Sequence, residues 1–249
     1  MATSRFVQDT GLIARMVLTM FLLGGLFVAL VVALMLAFRG YSLLIATVAL
    51  GMAFWQWWSS DTVAMRAMRA REVTPEEAPE LHGMVERLCA LADMPKPRVG
   101  VADLAVPNAF ATGRSPDRSV VCVTTGILQV LDARELEAVL AHELSHVAHR
   151  DVLVMTVASS AGIAAGLLMR FGQLGGMGRS RNAGALPVVL VAVVGSLVVY
   201  AVSFLLLRLL SRYRELSADR AGAYLTLEPG ALASALQRSE EHTSELQSH

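Results

Sequence analysis

The chain alternates between long apolar runs and a more polar middle section. An uninterrupted apolar run covers residues 16–38, and a second one covers 41–58 after a turn at Arg39 and Gly40. At about 1.5 Å of rise per residue, the first run is long enough as a helix to cross a hydrocarbon core of about 30 Å. Together the two runs predict an amino-terminal transmembrane hairpin within residues 1–71.

Two further apolar runs, 152–169 and 185–207, flank a glycine-rich stretch. Both are long enough to span a bilayer, and the small residues of the first run would also permit close helix packing. The loop between them carries three arginines, which the positive-inside rule would not place outside, so whether both runs cross fully stays open. The pattern favours a second apolar hairpin within 152–208, and hence about four transmembrane helices in all.

Between the hairpins, residues 72–151 have the mixed, short elements of an α+β domain. Thr74 is an N-cap, Pro75 suits the first helical position and Glu77 the third, so a helix is predicted from here to about Asp93. Segments rich in β-branched and apolar residues predict three short strands, at 98–106, 108–113 and 119–125.

The last polar segment before the second hairpin begins with a strong helix signal. Asp132 is a good N-cap, Glu135 completes a capping box, and apolar residues then recur at helical spacing. His142 and His146 follow one turn apart in the pattern H-E-x-x-H, so they point to the same side of the helix. Two imidazoles at this spacing suit a tetrahedral Zn²⁺ site, and Glu143 lies where it could accept a proton from water.

A lone H-E-x-x-H pattern also arises by chance on a solvated helix face, so a metal site requires a third ligand. Glu215 and Asp219 share one helix face in the segment 209–238, and this pair of carboxylates is the natural source of the third ligand. His149 lies on the same face as the two motif histidines, so geometry alone would also allow it to bind. At this level both alternatives remain open.

The composition is typical of a membrane protein, with 55% hydrophobic and 17% charged residues. The net charge is zero, so nothing suggests a nucleic-acid partner. Basic residues flank both ends of the first hairpin, whereas its turn holds only Arg39, which places both ends in the cytoplasm. Cys89 and Cys122 form no CxxC pair and are predicted to be buried apolar residues. His82 is expected at the surface.

Five blocks resemble the HtpX-type membrane zinc metalloproteases, which are relatives of the CAAX prenyl proteases. The blocks are the amino-terminal hairpin, NAFATG at 108–113, VTTGIL at 123–128, AHELSHVAHRD at 141–151 and SRYRELSADRAGA at 211–223. The resemblance covers almost the whole chain. The order and spacing of the blocks make it far more specific than the H-E-x-x-H pattern alone.

The resemblance implies a zincin catalytic domain of the gluzincin type, with its active site facing the cytoplasm from a multi-pass protein of the bacterial inner membrane. One Zn²⁺ per chain would be held by His142, His146 and Glu215, and Glu143 would act as the general base. Asp219 would steady a ligand histidine.

The strand containing Asn108, Ala109 and Phe110 resembles the edge that binds the substrate backbone. His149 does not match a ligand position of the family. The implied function is a zinc metalloendopeptidase of stress response and protein quality control. Its expected partners are membrane lipid and misfolded or damaged membrane proteins. The alternative is a non-enzymatic membrane scaffold or transporter subunit with a chance H-E-x-x-H, which predicts no zinc.

Residues 239–249 depart from the family. They look like the translation of a common DNA sequencing adapter, with Arg238 at the boundary. Family members continue for several dozen further residues, so the sequence predicts a truncated chain with a non-native tail. The tail is expected to carry no function.

Overall fold

A computed structural model describes residues 10–37, 39–149 and 186–247, and the structural statements below concern these residues. Their contacts divide the chain into two compact units. Among the described residues, one unit is formed by residues 11–37, 39–56 and 186–213, and the other by Thr10 and residues 57–149 and 214–247.

The described elements are short in the middle of the chain and long toward both ends. The α-helices are α1 (Thr10–Ala37), α2 (Ser42–Trp58), α3 (Ser60–Ala67), α4 (Pro79–Ala92), α5 (Thr125–Val130), α6 (Ala133–Ala148), α7 (Leu186–Thr226) and α8 (Pro229–Gln247). The strands are β1 (Ala70–Glu72), β2 (Arg98–Ala102), β3 (Ala109–Gly113) and β4 (Ser119–Thr124).

The apolar unit contains α1, most of α2 and the first part of α7. The segment Ala14–Leu36 of α1 has a mean hydropathy of 2.7, and among the described helices it is the one long and apolar enough to cross a membrane. Leu23 of α1 and Leu210 of α7 are fully buried and form a small core. The predicted run 152–169 lies outside the described residues, so the four-helix count stays a prediction.

The second unit is built on a four-stranded mixed sheet in the order β1-β2-β4-β3. Strand β4 lies parallel to β2 and antiparallel to β3, and all six of its residues are buried. Val121 and Val123 of β4 face a core that also contains buried residues of α4 and α6. Met65 of α3 lies against Gly100 of β2, so α3 packs on the sheet as well. This architecture is the predicted α+β arrangement with a small sheet.

Helix α6 is fixed at its beginning and along one side. The predicted capping box is present, because Asp132 accepts from the backbone of Glu135 while the Glu135 carboxylate accepts from the Asp132 N–H. Ser234 and Arg238 of α8 donate to the same buried carboxylate. Leu140 and Leu144 are fully buried in the core. The helix therefore forms a rigid support for side chains on its other face.

The helix predicted from Thr74 begins later than expected, at Pro79. The capping signal is real, since Glu77 accepts from the Thr74 N–H, but it closes only one turn. Pro79 disfavours a helical conformation at the residue before it, and Ala78 has φ −139° and ψ 65°. The proline thus separates the capped turn from helix α4.

Three other expectations differ from the structure. His82 is buried rather than at the surface, with its Nε2 atom 3.0 Å from the Val73 carbonyl. The strand predicted over 98–106 ends at Ala102. Helix α8 continues without a break through Arg238 to Gln247, so no structural boundary marks the adapter-like segment. Both cysteines are buried and free, as predicted.

Candidate metal centre

Three side chains from two helices converge on one point. His142 and His146 lie on α6, and Glu215 lies on α7, 69 residues after His146. One ligand atom from each lies within 4.8 Å of the others. The His142 Nε2 atom is 3.3 Å from the Glu215 carboxylate, and the His146 Nε2 atom is 3.9 Å from it.

These separations fit a tetrahedral zinc site. Zinc–ligand bonds of about 2.0–2.1 Å imply ligand atoms about 3.3–3.4 Å apart. The contact between His142 and Glu215 already has this length, and the contact between His146 and Glu215 would need to close by about 0.5 Å. Two imidazole nitrogens and one carboxylate oxygen are also the donor set of a catalytic zinc centre. The side chain of Glu215 is 53% exposed, so the site opens to solvent on that side.

Asp219, one helical turn after Glu215, lies behind His142. Its Oδ1 atom is 3.0 Å from the Nδ1 atom of that histidine, which is the nitrogen turned away from the convergence point. The Nδ1 atom has no aligned hydrogen bond, so the pair is a close charge contact rather than a well-directed bond. The contact matches the predicted position of a carboxylate that orients a ligand histidine.

Glu143 follows His142 on α6 and points toward strand β3. Its Oε2 atom accepts a hydrogen bond of 3.1 Å from the backbone N–H of Ala111. Burial raises the pKa of Glu143, although the two neighbouring histidines and the Ala111 N–H favour the charged form. A carboxylate with a raised pKa is a better proton acceptor near neutral pH.

The charges around His142 and Glu215 act on each other. Burial alone would lower the pKa of His142, but the hydrogen bond with Glu215 and the charges of Glu143 and Asp219 outweigh it and raise that pKa. The same hydrogen bond lowers the pKa of Glu215. In the metal-free protein these carboxylates favour the protonated form of His142, and a divalent cation bound to the Nε2 atom and to Glu215 would replace that proton.

Strand β3 lies at the edge of the sheet nearest to Glu143. The Thr124 N–H donates to the Asn108 carbonyl, and Ala109 to Gly113 then pair in register with β4. In an antiparallel ladder, backbone groups alternate in direction along the strand. The groups of Phe110 therefore face β4, whereas those of Ala109 and Ala111 face outward. The bond from Ala111 to Glu143 agrees with this alternation.

The structure shows which of the residues predicted for the metal site lie together and which do not. It brings together His142, His146 and Glu215, with Glu143 and Asp219 next to them. His149 lies outside this group, at the end of α6, where its Nδ1 atom is 2.7 Å from the Ser145 carbonyl. Sequence reasoning missed Ala111, because its outward direction follows from the register of β3 and β4.

The fold and the site together define a metallopeptidase of the H-E-x-x-H class. The model of peptidase family M48 matches residues 75–249. Protease HtpX homolog 1 of Streptomyces coelicolor is 56% identical over 238 residues, which cover 94% of this chain and 77% of the relative. The protease HtpX homolog of Moorella thermoacetica is 49% identical, with 92% of this chain and 77% of the relative covered.

A third relative gives the same result. Protease HtpX homolog 2 of Methanosarcina mazei is 46% identical over 94% of this chain and 79% of the relative. The chain therefore belongs to peptidase family M48 and, within it, to the HtpX-type zinc metalloproteases. This confirms the predicted enzyme class and disfavours the alternative of a scaffold with a chance motif.

Proposed function

We propose that the chain is a membrane-embedded, zinc-dependent endopeptidase that cleaves misfolded or damaged membrane proteins. The observation that carries the proposal is the convergence of His142, His146 and Glu215 beside Glu143 and the outward edge of β3. A nucleophile-activating base, a cation site and a surface for an extended peptide then lie within one site.

His142, His146 and Glu215 would hold the ion. Three protein ligands, of which Glu215 is half exposed, would leave the fourth coordination position open. A catalytic zinc site needs this open position, whereas a structural site fills it with a fourth protein ligand. Zinc bound there supplies Lewis-acid chemistry, which polarises a peptide carbonyl and makes water more acidic. Asp219 holds His142 so that its Nε2 atom faces the ion.

Glu143 performs the proton transfers. It accepts a proton from the attacking water and delivers it to the nitrogen of the departing amine, so that the amine leaves as a neutral group. Burial keeps its pKa above that of an ordinary glutamate. The Ala111 N–H fixes one oxygen of the carboxylate, so the base is oriented before the substrate arrives.

The edge of β3 would position the substrate. An extended peptide that pairs with the outward groups of Ala109 and with the carbonyl of Ala111, whose N–H is bound to Glu143, would run past the metal point as an added strand. Asn108 and Phe110, the other predicted edge residues, turn their own backbone groups toward β4, so they would flank the pairing groups rather than bind the peptide backbone. Because pairing uses backbone groups, it holds many sequences in one orientation.

We further propose that the catalytic unit faces the cytoplasm. Helix α1 supports a membrane location by its length and hydropathy. Arg15 near the first hairpin and Arg66, Arg69 and Arg71 after it follow the positive-inside rule, with only Arg39 in the turn.

The test compares the parent with Glu143→Gln and with Glu137→Gln, a matched change on the same helix away from the site. Each protein is purified in detergent, its zinc is measured by elemental analysis, and cleavage of an unfolded protein is followed. We expect one zinc per chain in all three. Activity should fall by about 10²–10⁴-fold in Glu143→Gln alone. A parent without zinc, or an active Glu143→Gln, would refute the proposal.

A further inference from the structure

Gly222 lies on the same face of α7 as the two carboxylates of the site. It follows Glu215 by seven residues and Asp219 by three, which are spacings that share a helix face. Gly222 is buried. It therefore lies along the line on which this part of α7 meets its neighbour.

That neighbour is the backbone of the metal-binding helix itself. A Cβ atom placed on Gly222 would lie 3.2 Å from the backbone nitrogen of His142, 3.4 Å from its Cα and 3.6 Å from the carbonyl carbon of Ala141. The distance of 3.2 Å to the nitrogen is shorter than an ordinary van der Waals contact of a Cβ atom, whereas the distances of 3.4 Å and 3.6 Å to the two carbon atoms are ordinary ones. All three atoms belong to a helical backbone, so no side-chain rotation can relieve the contact.

We infer that Gly222 is a positioning residue of the metal centre. Without a side chain, it lets the segment that carries Glu215 and Asp219 lie directly against His142, and so sets the distance between the ligands of the two helices. The inference rests on the proposed zinc site and adds a residue that touches neither metal nor substrate.

The relief of a new Cβ contact would separate α6 from α7 locally, because both helices are anchored in the same core, α7 through fully buried Leu225. Helix α6 is held by its capping box and by fully buried Leu140 and Leu144. A separation of a few tenths of an ångström would move the two carboxylates that α7 carries away from the histidines of α6. The separation of His146 and Glu215 already exceeds the tetrahedral value by about 0.5 Å, so a further few tenths of an ångström would take the ligands beyond the tolerance of about 0.5 Å for a preorganised site.

A purely structural role of the glycine predicts a different result. Glycine is among the poorest residues in a helix interior, so alanine should stabilise any helix that has room for it. Gly83 on α4 provides the matched control, because it is exposed and a Cβ there would meet nothing within 4 Å. Alanine at position 83 should raise the melting temperature without changing zinc affinity.

The experiment uses the full chain in detergent with Gly222→Ala, Gly222→Val, Gly83→Ala and Gly83→Val. Zinc affinity is measured by chelator competition, the metal-free melting temperature by circular dichroism, and the site geometry by the visible absorption of bound Co²⁺. We expect Gly222→Ala to lose zinc affinity about tenfold and Gly222→Val to lose more. Both should change the cobalt spectrum, while the Gly83 variants retain the parent spectrum.

The melting temperatures give a readout that does not depend on metal. Gly222→Ala should lack the stabilisation that Gly83→Ala shows, because its Cβ meets backbone. Parent-like zinc affinity and cobalt spectrum in Gly222→Ala would overturn the inference even if the valine variant does not fold. A parent chain that binds no zinc would instead overturn the proposed function, and the positioning role with it.

Discussion

Asp219 offers a quantitative test of how the site holds its ligands. We expect Asp219→Ala to weaken zinc binding and slow peptide cleavage while the fold is retained. The carboxylate lies 3.0 Å from the His142 Nδ1 atom, so its removal deprives the ring of the charge that orients it. Glu215, the proposed ligand on the same helix, is unchanged in this variant.

The size of the effect follows from exposure and geometry. Loss of a group that orients a metal ligand costs about 10–100-fold in affinity or activity. The side chain of Asp219 is 50% exposed and not aligned with the Nδ1–H direction, so solvent screening weakens the contact. We therefore expect the lower end, a loss of about tenfold, or about 1.4 kcal/mol of zinc binding free energy. Asp219→Asn, which retains an oxygen but not the charge, should lose less.

Zinc affinity and kcat/KM are measured for Asp219→Ala, Asp219→Asn and Asp117→Ala, the last being an exposed aspartate outside the site. In metal-free protein, the raised pKa of His142 stabilises the fold below about pH 6.5, and this contribution is lost as the pH rises through the folded-state pKa. Asp219→Ala should diminish that acid-side stabilisation. The stability of the metal-free variants is measured as a function of pH. An Asp219→Ala variant with the zinc affinity of the parent and the same dependence of stability on pH would refute the orienting role.

Three further predictions concern the core, the thiols and the topology. Leu140→Ala should lower the free energy of unfolding in denaturant by about 2–5 kcal/mol, whereas Leu236→Ala, at a half-exposed position, should change it by less than about 1 kcal/mol. Burial raises the pKa of both Cys89 and Cys122 to about 11, so neither should react with a thiol reagent at pH 8 until the protein is denatured. In intact cells, an impermeant thiol reagent should label Arg39→Cys but not Asp117→Cys, and the reverse pattern would contradict the cytoplasmic placement of the catalytic unit.

Local signals in the sequence predicted local structure well. The capping box of Asp132 and Glu135 is present as expected, because both groups lie within four residues of each other. Strands β2, β3 and β4 lie within the three segments that the sequence predicted as strands. Strand β1 was missed, since its three residues carry no strand pattern and are ordered by pairing with β2.

Features that depend on contacts between residues distant in sequence could not be predicted from the sequence pattern. His82 looked like a surface residue of a helix, but the carbonyl of Val73 and the core bury it. The shared helix face identified Glu215 and Asp219 as a pair, and the family resemblance selected Glu215 as the ligand. The approach of Glu215 to His142 depends on how the chain returns between the two helices. Gly222 stood in a recognised block with no assigned role, although its spacing from the two carboxylates was visible.

The outward edge of β3 has a consequence for which proteins the enzyme can attack. Under the proposed function, pairing with Ala109 and with the Ala111 carbonyl requires a substrate segment that is extended and whose own N–H and C=O groups are unpaired. In a native protein, nearly all buried backbone groups are already engaged, and regular structure opens only at a free-energy cost. The edge therefore discriminates by conformational state more than by amino-acid sequence. Under the proposed function, the rate of cleavage would follow the fraction of time that a substrate segment spends locally unfolded.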